Sequence, residues 1–492
     1  MQTGASPESR NTVIVRRLRA EHGQDGFTRY LPLGTGMVDE IEKAVKDAFD
    51  GLGGASLIKS SGDVYIKPNG VGQQPYAFTR PEVLETAVRY WQSVGAKRVY
   101  VLENSTQGAL TRTVFEFTGY GEVCKRTGAR PIYLDEERTA PSLFSGKAPA
   151  GEGSPDGYRQ ISFGVPVVVA RKLIEEKDRN LYVNIPKLKT HSMTVVTLGI
   201  KNQWGFVPHG DRIADHNHNL HSKLVDVLAL VRPDVTLIEG VEGTIYGHYP
   251  PLALADKCVR PFRVLIGGLN VVAADAVGAK VFGLGIENVP HIKLAIERGL
   301  GGGVETLDDI SLSGDLNDIR SIDLLDELAE FGGRYPHVLY PAFPPDVAVV
   351  TGKEMACTDG CLGGALSGIQ LLYLDSGGKG GWTLVAGKGF DAREVDALAG
   401  PVMVAGGCAV EEVGDRLVKR LGRKQVYLID GCCDLTGTTE ALCHLMRVDA
   451  VRVGSSPRRI GLLKALEILI RARLNGSSGR QVSVFSKAFK RR

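Results

Sequence analysis

Short apolar runs that end in glycine or polar residues constrain the fold of this chain more than any other feature. They alternate with segments of helical periodicity. Continuous short apolar runs are typical of strands buried on both faces, which belong to parallel sheets covered by helices. We therefore predict an α/β fold of two domains, each with a mainly parallel sheet flanked by helices. The clearest runs of the first part lie at residues 64–66, 98–102, 181–185, 235–238 and 262–266.

A cluster of prolines between residues 335 and 345 interrupts this pattern, which then restarts. The chain has 492 residues, enough for two or three domains. Proline ends regular elements, so the interruption marks a domain boundary. We predict an N-terminal extension over residues 1–60 that packs on the first domain, a first α/β domain over 61–340, a cysteine- and glycine-rich α/β domain over 346–475, and a basic tail over 476–492.

Charge and hydropathy argue against two classes of partner. The chain carries 59 basic and 56 acidic residues, and its net charge of +3 is too small to indicate a nucleic-acid-binding surface. The apolar runs are far shorter than the roughly 20 residues that span a bilayer, so neither nucleic acid nor membrane is expected as a partner. The first ten residues lack the apolar segment that directs export, and we therefore expect a cytoplasmic protein.

Six of the eight cysteines lie between residues 357 and 443, and five of these closely follow apolar runs. The carboxyl ends of parallel strands share one edge of a sheet, so these thiols are expected to meet there. Neighbouring glycines permit close approach of the backbone and leave amides free to bind inorganic sulfide. The predicted metal ligands are Cys357, Cys361, Cys408 and Cys432, with Cys433 as the substitute for the fourth.

The group bound by these cysteines is expected to be a cluster rather than a single ion. Thiolates that converge repel one another unless a cation or a cluster neutralises them. Structural zinc usually takes its ligands from close C-x2–4-C pairs, whereas here they come mostly singly from different strand ends. We predict one 4Fe-4S cluster, and zinc or buried thiols without a metal remain the alternatives.

Lysine and histidine side chains cluster after the predicted strand at residues 181–185. Lys187, Lys189 and His191 follow this strand directly, and Lys201 comes ten residues later. Further cationic and titratable side chains follow at Arg212, His216, His218 and His221. Such a group beside a strand end suits a small anion, for example a carboxylate or a phosphate.

Several of these motifs resemble the DUF362 family, whose members share a domain of unknown function. The resemblance covers roughly residues 60–300 and rests on Lys67-Pro68-Asn69 and on residues 184–191 (NIPKLKTH), 199–202 (GIKN), 232–234 (RPD) and 273–276 (AADA). It implies an iron–sulfur protein, and many members carry a C-terminal ferredoxin domain. The C-x2-C-x2-C-x3-C run of that domain is missing here, and the glycine–cysteine domain takes its place. The family also looks related in fold to the lactate racemase catalytic subunit.

The sequence therefore predicts an iron–sulfur enzyme that acts on a small anionic substrate, as an oxidoreductase or as an isomerase or lyase. The residues assigned to catalysis are His191, Lys201 and Lys189. Those assigned to substrate binding are Lys67, Asn69, Lys187, Asn202, Arg212 and His221. One alternative is a non-catalytic electron-transfer or cluster-handling protein. Another is a nucleotide- or phosphate-binding enzyme with a structural zinc site.

The two predicted sites are expected to face each other across a cleft between the domains, where ligand pockets preferentially form. The polar segment 211–221 is the predicted lid of this cleft. Besides the small anion, a redox partner protein is expected, and a homo-oligomer is left open.

Overall fold

A computed structural model of the chain describes residues 10–23, 29–106, 108–140, 163–214, 219–315, 319–329, 338–432, 434–449, 453 and 460–479. These residues form two α/β domains, each with its own sheet. The predicted fold class, with mainly parallel sheets flanked by helices, is confirmed.

The first domain contains thirteen strands in the described part of the chain. They are β1 (Thr12–Arg17), β2 (Asp63–Pro68), β3 (Arg98–Glu103), β4 (Arg130–Tyr133), β5 (Thr139–Ala140), β6 (Val165–Pro166), β7 (Leu181–Ile185), β8 (Lys187–His191), β9 (Val195–Thr197), β10 (Val235–Thr244), β11 (Val259–Arg260), β12 (Val264–Gly268) and β13 (Ser311–Gly314). Eleven of them form one sheet, in the order β13-β1-β12-β10-β7-β2-β3-β4, with β8 and β11 paired to β10, and β9 to β8. From β10 to β4 all neighbours are parallel, so their carboxyl ends meet at one edge.

One side of this sheet departs from the parallel pattern. Strand β12 runs antiparallel to both β10 and β1, and β13 is parallel to β1. Because β1 lies between β13 and β12, the residues before 60 contribute a strand to the first domain's sheet. An apolar run indicates that a strand is buried, but the strand's direction depends on the connection that precedes it.

Helices cover both faces of the large sheet, and a separate apolar cluster lies on each side of it. The helix at Pro81 begins with proline, as its sequence predicts, because the first helical position needs no amide hydrogen. The α-helices of four or more residues in the described part of the first domain are α1 (Met37–Gly51), α2 (Pro81–Ser93), α3 (Thr111–Thr118), α4 (Tyr120–Thr127), α5 (Gly199–Asn202), α6 (His209–Ala214), α7 (Leu220–Leu230), α8 (Ala255–Cys258), α9 (Val271–Val281), α10 (Pro290–Glu297) and α11 (Leu324–Ala329).

The second domain has a four-stranded parallel sheet in sequential order. Its strands are β14 (Val347–Thr351), β15 (Trp382–Ala386), β16 (Val402–Ala405) and β17 (Val426–Ile429). The helices that follow are α12 (Cys361–Ser376), α13 (Ala392–Ala397), α14 (Asp415–Leu421), α15 (Leu435–Leu445) and α16 (Leu462–Leu474). Apolar clusters lie on both faces of this sheet as well, with α12 and α15 packed on one side.

The second domain contacts the first through the segment that contains Cys357 and Cys361. The carboxylate of Asp359 accepts a hydrogen bond of 3.2 Å from the amide of Leu220, at the start of α7. Gly363 lies so close to the first domain that an added Cβ would come within 3.0 Å of the carbonyl oxygen of Ser192. Across the described residues, no helix has the length and apolar character to cross a membrane.

Candidate functional site

A cavity of about 60 Å³ lies where β2 and β3 end. It has room for a few water-sized groups, since one such group occupies roughly 10–15 Å³. The first domain supplies most of the lining, and Leu435 of the second domain completes it. Seven of the predicted site residues line this cavity: Lys67, Asn69, Lys189, His191, Lys201, Asn202 and Arg212.

Glu103, at the end of β3, is the acidic side chain of the cavity. Its carboxylate accepts hydrogen bonds from the Lys67 ammonium at 2.7 Å, from the Gly70 amide at 2.7 Å and from the Asn104 amide at 2.8 Å. These bonds fix the Lys67 ammonium between the ends of β2 and β3. Burial lowers the pKa of Lys67, and the neighbouring carboxylate opposes that shift.

A chain of amide side chains crosses the floor of the cavity. Asn202 donates to Asn184 at 2.8 Å, and Asn69 donates to Asn202 at 2.8 Å. Asn69 in turn accepts from the Lys189 ammonium at 2.8 Å, and the carbonyl oxygen of Ala77 accepts a second bond from the same ammonium. Burial and two neighbouring lysines hold the pKa of Lys189 well below its usual range. The Lys189 side chain is therefore held by neutral oxygen acceptors.

Lys201 is placed by a buried carboxylate. Asp275 accepts hydrogen bonds from the amides of Gly199 at 2.7 Å and Ile200 at 2.8 Å, which caps the short helix α5. Burial raises the pKa of Asp275 to about 7. Burial, together with the charges of Arg212 and Lys67, lowers the pKa of Lys201 to about 7. Within the described part of the chain, the Lys201 ammonium has no hydrogen-bond or ion-pair partner, although only 9% of the residue is exposed.

The tautomer of His191 follows from one backbone hydrogen bond. Its Nδ1 accepts from the amide of Met193 at 3.1 Å, so Nδ1 carries no proton and the neutral ring is protonated at Nε2. His248 stacks on His191, with ring centroids 3.8 Å apart and planes 8° from parallel. The neutral His191 ring is therefore arranged as a hydrogen-bond donor through Nε2.

Lys187 lies outside the cavity lining, in a buried ion-pair network. Its ammonium donates to both carboxylate oxygens of Glu239, at 2.8 and 3.0 Å, and to Glu242 at 3.2 Å. Glu242 also accepts from Arg80 at 2.7 Å. All four side chains are at least 97% buried. The geometry assigns Lys187 a structural contact with β10.

His221 also lies away from the cavity lining. Its Nδ1 is 3.1 Å from Nδ1 of His291, and burial lowers the pKa of His221 to about 4. Arg212 reaches the cavity from α6 and donates to the carbonyl oxygen of Ser105 at 2.9 Å. The predicted lid includes residues 215–218, with His216 and His218, and these lie outside the described residues.

Three of the predicted metal ligands lie near one another. The thiol of Cys357 interacts electrostatically with those of Cys361 and Cys408, and burial is the main cause that raises the Cys357 pKa to about 12. Gly406 lies against this group, and an added Cβ there would sit 2.6 Å from the Cys361 sulfur. Cys432 is half-buried, and Cys433 lies outside the described residues. In the described ranges, no three His, Cys, Asp or Glu side chains converge closely enough for a single metal ion.

Several residues that line the cavity were not predicted from the sequence, among them Glu103, Trp204, His248 and Leu435. Glu103 had a usable signal, because it ends an apolar run at the same sheet edge as Lys67. Trp204 follows the Gly-Ile-Lys-Asn motif directly. His248 and Leu435 carry no comparable signal, since only the tertiary fold brings them to the cavity. The roles assigned to the cavity residues stay predictions.

Removing the buried cation Lys187 should destabilise the fold strongly. In Lys187→Met, Glu239 loses its ion-pair partner in a fully buried position, and we expect the free energy of unfolding to fall by about 3–5 kcal/mol. The matched control is Lys293→Met, which breaks an exposed pair with Glu297 (3.7 Å, 59% and 54% exposed side chains) and should cost about 0–0.5 kcal/mol. Urea unfolding measures both variants. Equal losses would contradict the structural role of Lys187.

Anion binding should depend on pH through Lys201. A bound anion raises the pKa of the Lys201 ammonium above the value of about 7 in the free protein. Affinity is then fully present below pH 7 and falls, by up to about tenfold per pH unit, as pH rises between the free and bound pKa values. Titration calorimetry with sulfate, which stays a dianion over this range, measures the effect.

The Lys201→Met variant should bind sulfate more weakly and lose most of this slope. Lys59→Met is the control, because Lys59 pairs with Asp234 at 2.6 Å next to the amino end of β10, at the other edge of the sheet. Sulfate affinity that is independent of pH in the wild type would rule out the role of Lys201.

Comparisons with known proteins support the family resemblance. Residues 64–280 match the profile of a family described as a domain of unknown function (DUF362). The chain is also similar to the thylakoid-associated protein sll1697 of Synechocystis sp., with 26% identity over 271 residues that cover 52% of this chain and 74% of that protein. All seven predicted residues that line the cavity fall within the matched range. The predicted resemblance to the DUF362 family is therefore confirmed over residues 64–280.

Proposed function

We propose that this protein is an iron–sulfur enzyme that acts on a small anionic substrate, as an oxidoreductase or as an isomerase or lyase. The observation that carries the proposal is the cavity itself, where buried cations of the first domain meet a residue of the cysteine-rich domain. Leu435 lines the cavity, and it follows Cys432 by three residues. The segment of the second domain that follows Cys432 therefore reaches the cavity, which supports a site to which both domains contribute.

The charge of the cavity favours an anion. Its lining includes Lys67, Lys189, Lys201 and Arg212, and among the described lining residues Glu103 is the single carboxylate. That carboxylate is already occupied by Lys67 and two backbone amides. The Lys201 ammonium has no ion-pair partner among the described residues, which costs free energy in a buried position, and a bound anion relieves that cost. The volume restricts the ligand to a small oxyanion or a short carboxylate.

Two groups in the cavity are suited to hold or move a proton. The Lys201 amine has a pKa of about 7, so both of its protonation states are populated near neutral pH. The neutral His191 ring donates from Nε2, because its Nδ1 accepts from the Met193 amide. We assign Lys201 as the group that exchanges a proton with substrate and His191 as a hydrogen-bond donor to it. Lys189 and Asn69 position the anion.

The proximity of Cys357, Cys361 and Cys408 supports the proposal of a cluster. Cys357, Cys361 and Cys408 would hold it, with Cys432 or Cys433 as the fourth ligand. Glycine at position 406 leaves space beside the Cys361 sulfur that a side chain would fill. When bound, a cluster supplies electron transfer, or a Lewis-acidic iron if one iron lacks a cysteine ligand. A cytoplasmic location, where thiols stay reduced, suits cysteines that form no disulfide among the described residues.

Replacement of one of the predicted ligand cysteines tests the cluster assignment. We expect the anaerobically purified wild type to be brown, with iron and sulfide in equal amounts. The Cys408→Ser variant should lose the broad visible absorption and most of the iron and sulfide, because it removes a ligand. The control is Cys443→Ser, which changes a buried thiol within α15 and should keep the cluster. Full iron and sulfide in Cys408→Ser would refute the assignment, and zinc in place of iron would establish the alternative.

A further inference from the structure

An apolar stripe is exposed on the last described helix, α16. Leu463, Leu466, Ile470 and Leu474 are 84, 51, 50 and 82% exposed. They are spaced three or four residues apart, which places them on one face of the helix. Leu462, 71% exposed, extends the stripe at its start. Contiguous exposed apolar side chains of this kind mark an interaction surface.

The opposite face of α16 attaches the helix to the first domain. Ile468 and Ala472 are buried and pack against Leu110. Beyond the helix, the hydroxyl of Ser477 donates to the carboxylate of Asp135 at 2.6 Å. The helix therefore cannot rotate to bury the leucine stripe without breaking these contacts.

Positive charge accompanies the stripe. Within α16, three cations (Lys464, Arg471 and Arg473) outnumber the single acid, Glu467. Glu467 pairs with Arg471 at 3.0 Å and with Lys464 at 3.5 Å, and Glu116 of α3 lies 3.8 Å from Lys464. Residues 476–492 of the sequence contain no acidic residue and five cations, at Arg480, Lys487, Lys490, Arg491 and Arg492. A second copy of the same helix would bring like charges together, whereas an anionic surface attracts them.

We propose that α16 is a peripheral binding site for an anionic lipid bilayer, with the leucine stripe inserted into the interface and the cations facing the headgroups. The helix has 13 residues and is about 20 Å long, too short to cross a hydrocarbon core of about 30 Å. It therefore lies in the plane of the interface, as amphipathic helices rich in lysine and arginine do. The expectation of no membrane partner rested on spanning segments, which such a helix does not need.

Cosedimentation of the full-length protein with vesicles tests this site. We expect binding to vesicles of equal parts phosphatidylcholine and phosphatidylglycerol, weakened by salt, and much less binding to phosphatidylcholine alone. The triple variant Leu463→Glu, Leu466→Glu, Leu474→Glu should lower the partition coefficient by about 100-fold or more, since three leucine side chains no longer insert. The matched control is Val38→Glu, at a position 44% exposed on α1, which should bind like the wild type.

Three outcomes would overturn the proposal. The first is absence of binding to the anionic vesicles, and the second is equal binding by the wild type and the triple variant. The third is a wild-type dimer that binds no lipid and that the three substitutions convert to a monomer, which would assign the stripe to a second copy of the chain. Urea unfolding checks that the triple variant is folded, because its substitutions lie on exposed positions.

Discussion

Four cationic side chains are buried around one small cavity, and the architecture of the site depends on how their charge is balanced. Glu103 is the central element, because its carboxylate binds the Lys67 ammonium and two backbone amides at the ends of β2 and β3. Lys189 is held instead by neutral oxygens of Asn69 and Ala77. The ammonium of Lys201 has no hydrogen-bond or ion-pair partner among the described residues. We propose that a bound anion completes this balance.

The position of Lys201 links this balance to the rest of the fold. Asp275, on α9, caps α5 and so fixes the position of Lys201, whose ammonium lacks a partner among the described side chains. The second domain then covers the same region through Leu435 and through the contact between Asp359 and Leu220. Water is thereby restricted to a small volume, and electrostatic interactions inside it are correspondingly strong.

Local sequence patterns predicted much of this arrangement. Apolar runs indicated the strands, and the lysine and histidine motifs after β7 indicated the cavity. These local patterns did not predict the features of the structure that depend on strand pairing. Lys187 and Lys189 are two residues apart in β8, a spacing that places both on one face of a regular strand. In the structure, however, Lys187 contacts Glu239 and Lys189 lines the cavity. The register between β8 and β10 shifts after Glu239, which separates the two lysines, and no local pattern encodes such a shift. The antiparallel direction of β12 escaped prediction for a related reason, because apolar runs do not encode the order of strands.

The central claim, that a small anion occupies the cavity beside Lys201, is tested most directly by anomalous scattering. Crystals of the full-length protein soaked in selenate should show an anomalous peak inside the cavity, within hydrogen-bonding distance of the Lys201 ammonium once the selenate oxygens are placed. The Lys201→Met variant soaked under the same conditions should lose that peak and keep any surface peaks. Selenate found only on the surface of the wild type would contradict the account.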